Sequence, residues 1–465
     1  MTSHVFHSSI AKPKAIAKDG KGVFMTIEKN GKEHKQVLDA ITGAAVGSLG
    51  WGDPDVHTIM ADAALHHTYS FPGYIVNEAA EELARFYIDK TPKGVFRSCL
   101  WTCSGSESNE NALKIVRQYQ LERGRPEKLK IISREGAYHG FTLGAMSIGD
   151  GPRGIPFKDI MIDQENVCLK MPMFYPYRRM REGETVEQYA QRLLDSLEKM
   201  IIENDPNTVS VVCVETMSGS SIGTPVPPKN YLKGIRDICN KYDLIFMVDE
   251  VMCGTGRIND GKLCCWENFL APEDAPDIQT VGKTLGSGYV TIAGVLVGPK
   301  IYDAFEKGSG VVVGAQTYHS HEFNCRVALQ IQQKIFAQGL TSNVFKMGNL
   351  MGAKLQKALL SDSSNIVGDV RGLGGFWTIE LVKNKSTKEP FDQSLHIGSR
   401  FADLALNNGA NVMGLTGGNT KGEHWDIVVL GPAFIISEQE VELLCSKLEQ
   451  TVKDLTKTLQ DEGLR

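Results

Sequence analysis

Short runs of apolar residues alternate with amphipathic stretches through the middle of the chain, from about residue 97 to residue 300. The runs are rich in Val and Ile and do not alternate with polar residues, which is typical of strands buried on both faces. They are Arg97–Cys103, Lys130–Ser133, Val209–Glu215, Leu244–Asp249, Asp277–Val281 and Val290–Val297. The pattern predicts a central α/β sheet, mainly parallel and doubly wound, with right-handed crossovers.

Helices are predicted from apolar stripes and their capping residues. Thr185 and Gln188 form a capping-box pattern, so one helix is predicted to begin there. Ser437 and Glu440 repeat that pattern ahead of a long C-terminal stripe. Two further helices are predicted from about residue 330, followed by a strand region at Val370–Val382.

The two chain ends differ from the middle because neither contains a large apolar sheet of its own. Residues 1–75 hold a short strand region and a Gly-rich stretch at 43–52. We therefore predict a large domain at 76–328 and a smaller α+β domain formed by residues 1–75 together with 329–465.

Composition restricts the functional class. The chain has 465 residues and a net charge of −5, without a long basic run, which argues against binding nucleic acid through phosphates. No apolar stretch is long enough to span a membrane, and the N-terminal segment lacks the apolar core of a signal peptide. Ten cysteines without a C-x-x-C pair predict a reduced, cytoplasmic protein without a metal site.

The first candidate for chemistry is the run from Ser104 to Glu110, which lies between an apolar strand and a helical stripe. A turn of small residues at this place presents backbone N–H groups at a positive helix end, which suits a phosphate. An ordinary N-cap turn uses the same residue types. The run alone does not decide between these two interpretations.

Two further candidates follow predicted strands. Asp249 and Glu250 stand at the carboxyl end of their strand, where open α/β sheets bind ligands, although a carboxylate there could also cap a helix or hold Mg²⁺. Lys283 lies in the turn Gly282-Lys283-Thr284, where partial desolvation would lower the pKa of its amine and make it a nucleophile. A surface lysine is the alternative.

A nucleotide-binding P-loop is the main rival for the Gly-Lys-Thr turn. Such a loop needs glycine five positions before the Gly-Lys pair, and Asp277 occupies that position. A second near match, Gly256 to Lys262, ends in Leu263, which has no hydroxyl for Mg²⁺. Both matches fail on their chemistry.

A phosphate cradle, an acid for a pyridinium N–H and an imine-forming lysine are together what pyridoxal 5′-phosphate (PLP) requires. In their order along the chain, these motifs make residues 20–455 resemble the class III aminotransferases, which have fold type I. The motifs are Ser104-Gly105-Ser106-Glu107, Tyr138-His139-Gly140, Glu215 with Gly219, Asp249-Glu250-Val251 with Gly254, Gly256 and Arg257, then Lys283 and Thr317.

The resemblance implies a role for each matching residue. Lys283 would carry the cofactor as an internal imine and Asp249 would pair with the pyridine nitrogen, and these two are the implied catalytic residues. Thr317 would reach the active site of the neighbouring subunit in a homodimer. The implied cofactor-binding residues are Ser104, Gly105, Ser106, Tyr138, His139, Glu215, Asp249, Val251, Lys283 and Thr317.

The implied activity is transfer of an amino group from an amine or amino compound to a carbonyl acceptor, with ping-pong kinetics. A PLP-dependent decarboxylase, aminomutase or lyase on the same scaffold is one alternative. A catalytically silent protein that keeps the fold is another, and intact Lys283 and Asp249 count against it.

Two departures from the resemblance concern the substrate. Many relatives carry a second Glu where this chain has Ser220, and an Arg that pairs with it, whereas Thr416–Asp426 contains no Arg. Small residues also occupy positions 44–46, where an aromatic residue is common. These changes predict a roomier pocket without a tight α-carboxylate clamp, with Lys421 or His424 as a remaining cation.

Overall fold

The computed structural model of the protein describes residues 4–6, 15–29 and 33–465. Most of the N-terminal segment considered above for a signal peptide lies outside these residues. Among the described residues, no helix combines the length and the apolar character needed to cross a membrane.

Fifteen strands and thirteen α-helices make up the described chain, together with five short 3₁₀ helices. The strands are β1 Ile16–Lys21, β2 Phe24–Lys29, β3 Glu33–Asp39, β4 Ser98–Thr102, β5 Lys130–Arg134, β6 Cys168–Met171, β7 Val209–Glu215, β8 Ile245–Asp249, β9 Ile278–Val281, β10 Ala293–Val297, β11 Val367–Leu373, β12 Phe376–Leu381, β13 Ala410–Asn411, β14 Met413–Gly418 and β15 His424–Leu430. The α-helices are α1 Thr42–Ala45, α2 Pro54–His66, α3 Glu78–Lys90, α4 Gly105–Glu122, α5 Leu143–Ile148, α6 Pro176–Arg179, α7 Val186–Glu203, α8 Lys229–Lys241, α9 Pro299–Lys307, α10 Glu322–Ala337, α11 Leu340–Leu360, α12 Ile397–Asn408 and α13 Glu438–Asp461. The 3₁₀ helices are Pro152–Ile160, Cys265–Asn268, Pro272–Asp274, Lys283–Leu285 and Gln393–Leu395.

A seven-stranded sheet in the order β4-β10-β9-β8-β7-β5-β6 forms the centre of the molecule. Only β10 runs antiparallel to its neighbours, so the predicted mainly parallel sheet is confirmed. All six predicted strands form. The four-residue strand β6 was not predicted, because so short a run carries no pattern of its own.

The register of the central strands positions the candidate site. Glu215, at the end of β7, pairs with Asp249 at the end of β8. Asp249 in turn pairs with Thr280 of β9, and Lys283 follows Thr280 by three residues. Because parallel strands end at one edge of a sheet, these side chains meet there.

Both chain ends contribute to a second unit, which contains two four-stranded sheets. In one of them, β3 near the N-terminus pairs with β13 near the C-terminus. Val23 and Leu38 share an apolar core with Leu444 and Leu448 of α13. The boundaries at residues 75 and 328 stay a prediction, and the second of them falls within α10.

The buried side chain of Arg257 ties the two units together. Its guanidinium donates to the carbonyl oxygens of Ala45 at 3.2 Å, Gly375 at 3.3 Å and Pro432 at 2.9 Å. It also lies 4.9 Å from the ring centre of Phe434. Burial lowers the pKa of Arg257 to about 9, and the carbonyl dipoles compensate for its desolvation.

The predicted capping residues are confirmed at Thr185 and at Ser437. In the second cap, the Glu440 carboxylate accepts from the backbone N–H of Ser437 at 2.7 Å, and Ser437 Oγ accepts from the Glu440 N–H at 3.4 Å. This cap fixes the start of α13, which buries Val441, Leu444 and Leu448 in the core of the second unit.

Replacing Ser437 by Ala is expected to lower the free energy of unfolding by about 1 kcal/mol, because an orphan N–H at the start of α13 loses its acceptor. Urea unfolding followed by circular dichroism measures the change. Ser361→Ala, at the exposed end of α11, is the control and should leave the midpoint nearly unchanged. Equal midpoints for Ser437→Ala and the wild type would contradict the assignment of the cap.

Candidate active site

A cavity of about 230 Å³, called the inner cavity here, opens at the carboxyl edge of the central sheet. It brings together most of the side chains that the sequence singled out. The predicted residues that line it are Gly105, Ser106, Tyr138, His139, Glu215, Asp249, Val251 and Lys283. Ser104 and Thr317 do not line it.

The Asp249 carboxylate is held by three hydrogen-bond donors. Its Oδ2 accepts from Asn109 Nδ2 at 2.9 Å and lies 2.8 Å from His139 Nδ1. Its Oδ1 accepts from the backbone N–H of Val251 at 2.9 Å. Asn109 also donates to the carbonyl of His139, which fixes the two partners relative to each other.

These contacts keep a buried carboxylate ionised. Burial by itself opposes the charge of Asp249, but the hydrogen bond and charge of His139 and the other donors outweigh it, so the pKa of Asp249 lies below its ordinary value. Burial likewise opposes protonation of His139. Cys213 and Asp249 beside it raise the pKa of His139 well above its ordinary value. The contact with His139 therefore favours the ionised form of Asp249.

Lys283 begins the 3₁₀ turn Lys283–Leu285 directly after β9. Its backbone is left-handed, with φ of 46°, a conformation that costs a side chain about 1 kcal/mol or more. Burial lowers the pKa of its amine to about 8, against the opposing effect of Asp249 and Glu215. Among the described residues no group is hydrogen-bonded to this amine, which leaves it free to react in the cavity.

The N-terminus of α4 forms one wall of the inner cavity. Ser104 caps this helix with Glu107, whose carboxylate accepts from the N–H groups of Cys103 and Ser104. Ser104 therefore acts as a helix cap, as its alternative interpretation held. The N–H groups of Gly105 and Ser106 have no acceptor among the described residues and lie at the positive end of an 18-residue helix.

Only glycine fits at position 105. A Cβ there would lie 2.6 Å from Cγ1 of Val251, so any side chain would displace Val251. Because Gly105 has no side chain, the N–H groups at this helix end stay uncovered on the cavity side, as a phosphate cradle requires.

Glu215 forms a buried ion pair with Arg134, whose guanidinium donates to the carboxylate at 3.0 Å. Ser218 Oγ donates to the other carboxylate oxygen at 3.3 Å. A buried carboxylate needs such a partner, because an unpaired one would be strongly destabilised. No motif along the chain predicts this role for Arg134, because the order of residues does not place β5 beside β7.

Asn109 is the site residue that sequence reasoning missed although its motif was quoted. It lies four residues after Gly105 and hence on the same helix face, which is a signal that could have identified it. Its amide oxygen accepts from Thr280 Oγ1 at 3.0 Å, so it links α4, β8 and β9.

Thr317 lies on the exposed surface of the protomer. Its carbonyl accepts from the hydroxyl of Tyr69 at 2.8 Å, and the rings of Tyr69 and Tyr318 lie 6.0 Å apart. The role that the resemblance gives Thr317 concerns a neighbouring subunit and stays a prediction.

A second cavity of about 420 Å³, called the outer cavity here, shares Tyr138, His139, Gly140 and Ser220 with the inner one. Its walls are the segment from Ala137 to Gln164, Lys170, Ser221 and residues of β14 with the following turn. The two cavities together provide space for a cofactor and a substrate.

Neither cation that the sequence proposed for the substrate lines this space. Lys421 forms an ion pair with Glu135, and His424 Nε2 lies 2.9 Å from the carbonyl of Phe391. Both side chains are thus engaged in structural contacts.

Comparison with known proteins identifies the family. The profile of the family described as aminotransferase class-III matches residues 7–452. The chain belongs to the class III aminotransferases. An aminotransferase of Gibberella zeae is 37% identical over 94% of this chain and 83% of its own. The gamma aminobutyrate transaminase 3 (chloroplastic) of Solanum lycopersicum is 30% identical over 98% of this chain and 84% of its own.

Solved structures agree with this assignment. The omega transaminase of Pseudomonas jessenii in complex with PMP superposes with a TM-score of 0.86, at 26% identity, over 96% of this chain and 94% of that one. The predicted family, its fold type and its class of enzyme are confirmed. This aminotransferase uses PLP and catalyses transamination between small amino donors and carbonyl acceptors.

The inner cavity fits PLP on its own geometry. The open N-terminus of α4 suits a phosphate, the ionised Asp249 suits a protonated ring nitrogen, and the partner-free amine of Lys283 suits an aldehyde. Each group differs in chemistry from the others, as the three parts of the cofactor do.

The lowered pKa of Lys283 predicts how the cofactor-free protein takes up PLP. Only the neutral amine is a nucleophile, so the rate of uptake should rise about tenfold per pH unit below pH 8 and level off above about 8. Stopped-flow absorbance after addition of PLP measures it. Acetyl-lysine amide is the control, and its rate should rise up to about pH 10. A protein profile that follows the control would contradict a lowered pKa.

Proposed function

We propose that Lys283 and Asp249 are the catalytic residues of this transamination. One observation carries the proposal: an amine with a pKa of about 8 and an ionised carboxylate line one cavity beside an open helix N-terminus. The remaining roles follow from the contacts of each side chain within that cavity.

PLP, when bound, supplies an aldehyde that accepts amino groups and a ring that withdraws electrons. Lys283 Nζ would hold the aldehyde covalently, and its amine, once released as the neutral base, would take the proton from the substrate's α-carbon onto Nζ. Asp249 holds a proton on the ring nitrogen, because His139 and Asn109 keep its carboxylate charged and oriented. A positioned acid–base group of this kind contributes about 10²–10⁴-fold to the rate.

The other lining residues bind and orient. The N–H groups of Gly105 and Ser106 bind the phosphate at the end of α4. Tyr138 and Val251 line the same cavity and would contact the ring, and Glu215 is held beside Asp249 by Arg134. Ser104 contributes indirectly, because its cap fixes where α4 begins.

The decarboxylase, aminomutase and lyase alternatives are not favoured, because the family and its structural neighbours are transaminases. Transamination also differs from these reactions in its products. It needs a carbonyl acceptor and releases neither carbon dioxide nor ammonia.

The proposal includes a homodimer. Large apolar side chains are exposed on two neighbouring segments: Tyr74 is 89% exposed, Val76 76% and Val313 69%. The ring contact between Tyr69 and Tyr318 brings these segments together into one surface. An apolar surface of this kind is typical of a protein–protein interface.

Thr317 belongs to the same surface. Its exposed side chain would donate a hydrogen bond to the phosphate bound in the partner protomer, because contact through this surface would bring the two groups within reach. The cytoplasm is the proposed compartment, because all ten cysteines are free, as a reducing environment keeps them.

Lys283→Ala is expected to abolish turnover and the absorbance of the internal imine together, since one amine serves both. Spectra and coupled assays of the purified variant measure the two effects. Lys93→Ala, an exposed lysine outside the cavities, is the control. Retained transamination in Lys283→Ala would refute the assignment. So would a wild-type holoenzyme in which borohydride reduction fixes the pyridoxyl group to another lysine.

Val313→Lys is expected to convert the dimer largely into monomer, because a charge at a buried apolar interface is left desolvated and unpaired. Sedimentation velocity measures the mass, and the bound PLP per protomer should fall with it. Ile202→Lys places the same charge on an apolar side chain that is 57% exposed on α7, and should leave the mass unchanged. A wild-type protein that sediments as a monomer would contradict the dimer.

A further inference from the structure

The outer cavity carries an excess of positive charge. Arg153, Lys158 and Lys170 line it, while Asp150 is the one carboxylate among its described lining residues. Asp150 is already engaged: it accepts from the N–H of Gly136 at 2.9 Å and from the hydroxyl of Thr420. Its contacts join the two units of the fold and leave the cations of the cavity without a full counter-charge.

Arg153 is free to meet a ligand, as is Lys158, and of the two Arg153 lies against Tyr138. No described side chain forms an ion pair or hydrogen bond with its guanidinium. Its guanidinium carbon lies 5.5 Å from the centre of the Tyr138 ring. This stacking places the positive charge next to a residue that both cavities share.

Lys170 is a second cation on the wall of the same cavity. Its amine donates to Ser133 Oγ at 3.1 Å and to the carbonyl of Ser147 at 2.8 Å. An ammonium group has three donors, so one is left over. Burial lowers the pKa of Lys170 to about 8, which shows how poorly this charge is solvated.

A further polar group on the wall also lacks a partner. Ser221 Oγ is buried and has no hydrogen-bond partner in the part of the chain that the structure describes. The rest of the wall is largely apolar, with Phe141, Met146, Ile155 and Leu415. A ligand that matches this wall has an apolar middle and an anionic end.

We propose that Arg153 and Lys170 form the subsite that binds a carboxylate of the substrate in this aminotransferase. The subsite lies on the segment after Tyr138 and on β6, instead of in the 416–426 segment, where Lys421 and His424 are engaged elsewhere. Guanidinium and ammonium groups bind carboxylates through charge-assisted hydrogen bonds. The inference rests on the proposed function, because it takes the inner cavity as the cofactor site.

Binding of an unreactive acid to the holoenzyme tests the subsite without turnover. Isothermal calorimetry with pentanoate should show binding to the wild type and about tenfold weaker binding to Arg153→Met. Arg153→Lys should recover part of the affinity, because it restores the charge without the planar guanidinium. Arg181→Met, an exposed arginine outside the cavities, is the control. No binding of pentanoate, or equal affinity in Arg153→Met, would overturn the subsite.

Single-turnover bleaching of the cofactor tests the same residues with reactive amines of matched length, 5-aminopentanoate and pentylamine. The ratio of their half-saturating concentrations should favour the carboxylate in the wild type. In Arg153→Met and in Lys170→Gln, this ratio should shift about tenfold in favour of pentylamine. The shift should come from the half-saturating concentration of 5-aminopentanoate and not from the limiting rate of bleaching. A ratio that stays at the wild-type value would overturn the inference.

The second half-reaction shows whether the subsite binds the carboxylate of the amino donor alone or also that of the carbonyl acceptor. With the aminated cofactor and 2-oxoglutarate, whose distal carboxylate is two methylene groups from its carbonyl carbon, a rise in half-saturating concentration in Arg153→Met would assign the subsite to the acceptor as well as to the donor. An effect confined to 5-aminopentanoate would assign it to the donor alone. Failure of every amine to bleach the wild type, with pentanoate binding intact, would refute the proposed function and leave the subsite standing.

Discussion

A buried negative charge at the end of β8 is the constraint on which the site depends. Asp249 stays ionised only because Asn109, His139 and the N–H of Val251 surround it with donors. These partners come from α4, from the segment after β5 and from the turn after β8. The charge that the chemistry needs is therefore also a reason for these elements to pack in one arrangement.

The same region shows how neighbouring charges serve different purposes. Asp249 opposes the effect of burial on Lys283, so the amine keeps a pKa near 8 and does not fall further. Glu215 is neutralised by Arg134 and adds little net charge to the cavity. Glu250, next to Asp249 in sequence, accepts hydrogen bonds from Thr216 and from backbone N–H groups, and burial raises its pKa to about 7. Burial opposes the charge of both acids, and contact with His139 outweighs it only at Asp249.

The chain ends take part in the site although they lie far from it in sequence. β14 forms a wall of the outer cavity, and the contact of Thr420 with Asp150 joins that wall to the segment after Tyr138. Arg257 holds Ala45 and Pro432 to the turn after β8. The shape of the substrate space thus depends on how the two units are joined.

Apolar periodicity and residue type are local properties, so the residue pattern predicts the mainly parallel sheet and marks Lys283, Asp249 and the Ser104 turn as candidates for chemistry. The helix caps at Thr185 and Ser437 are likewise predicted from local motifs. The fold was needed to find that Asn109 and Arg134 hold the two acids, that Ser104 caps a helix outside the inner cavity, and that Arg153 and Lys170, not Lys421 or His424, line the outer cavity. Those outcomes depend on which segments meet across the sheet and between the two units, and no spacing along the chain records such contacts.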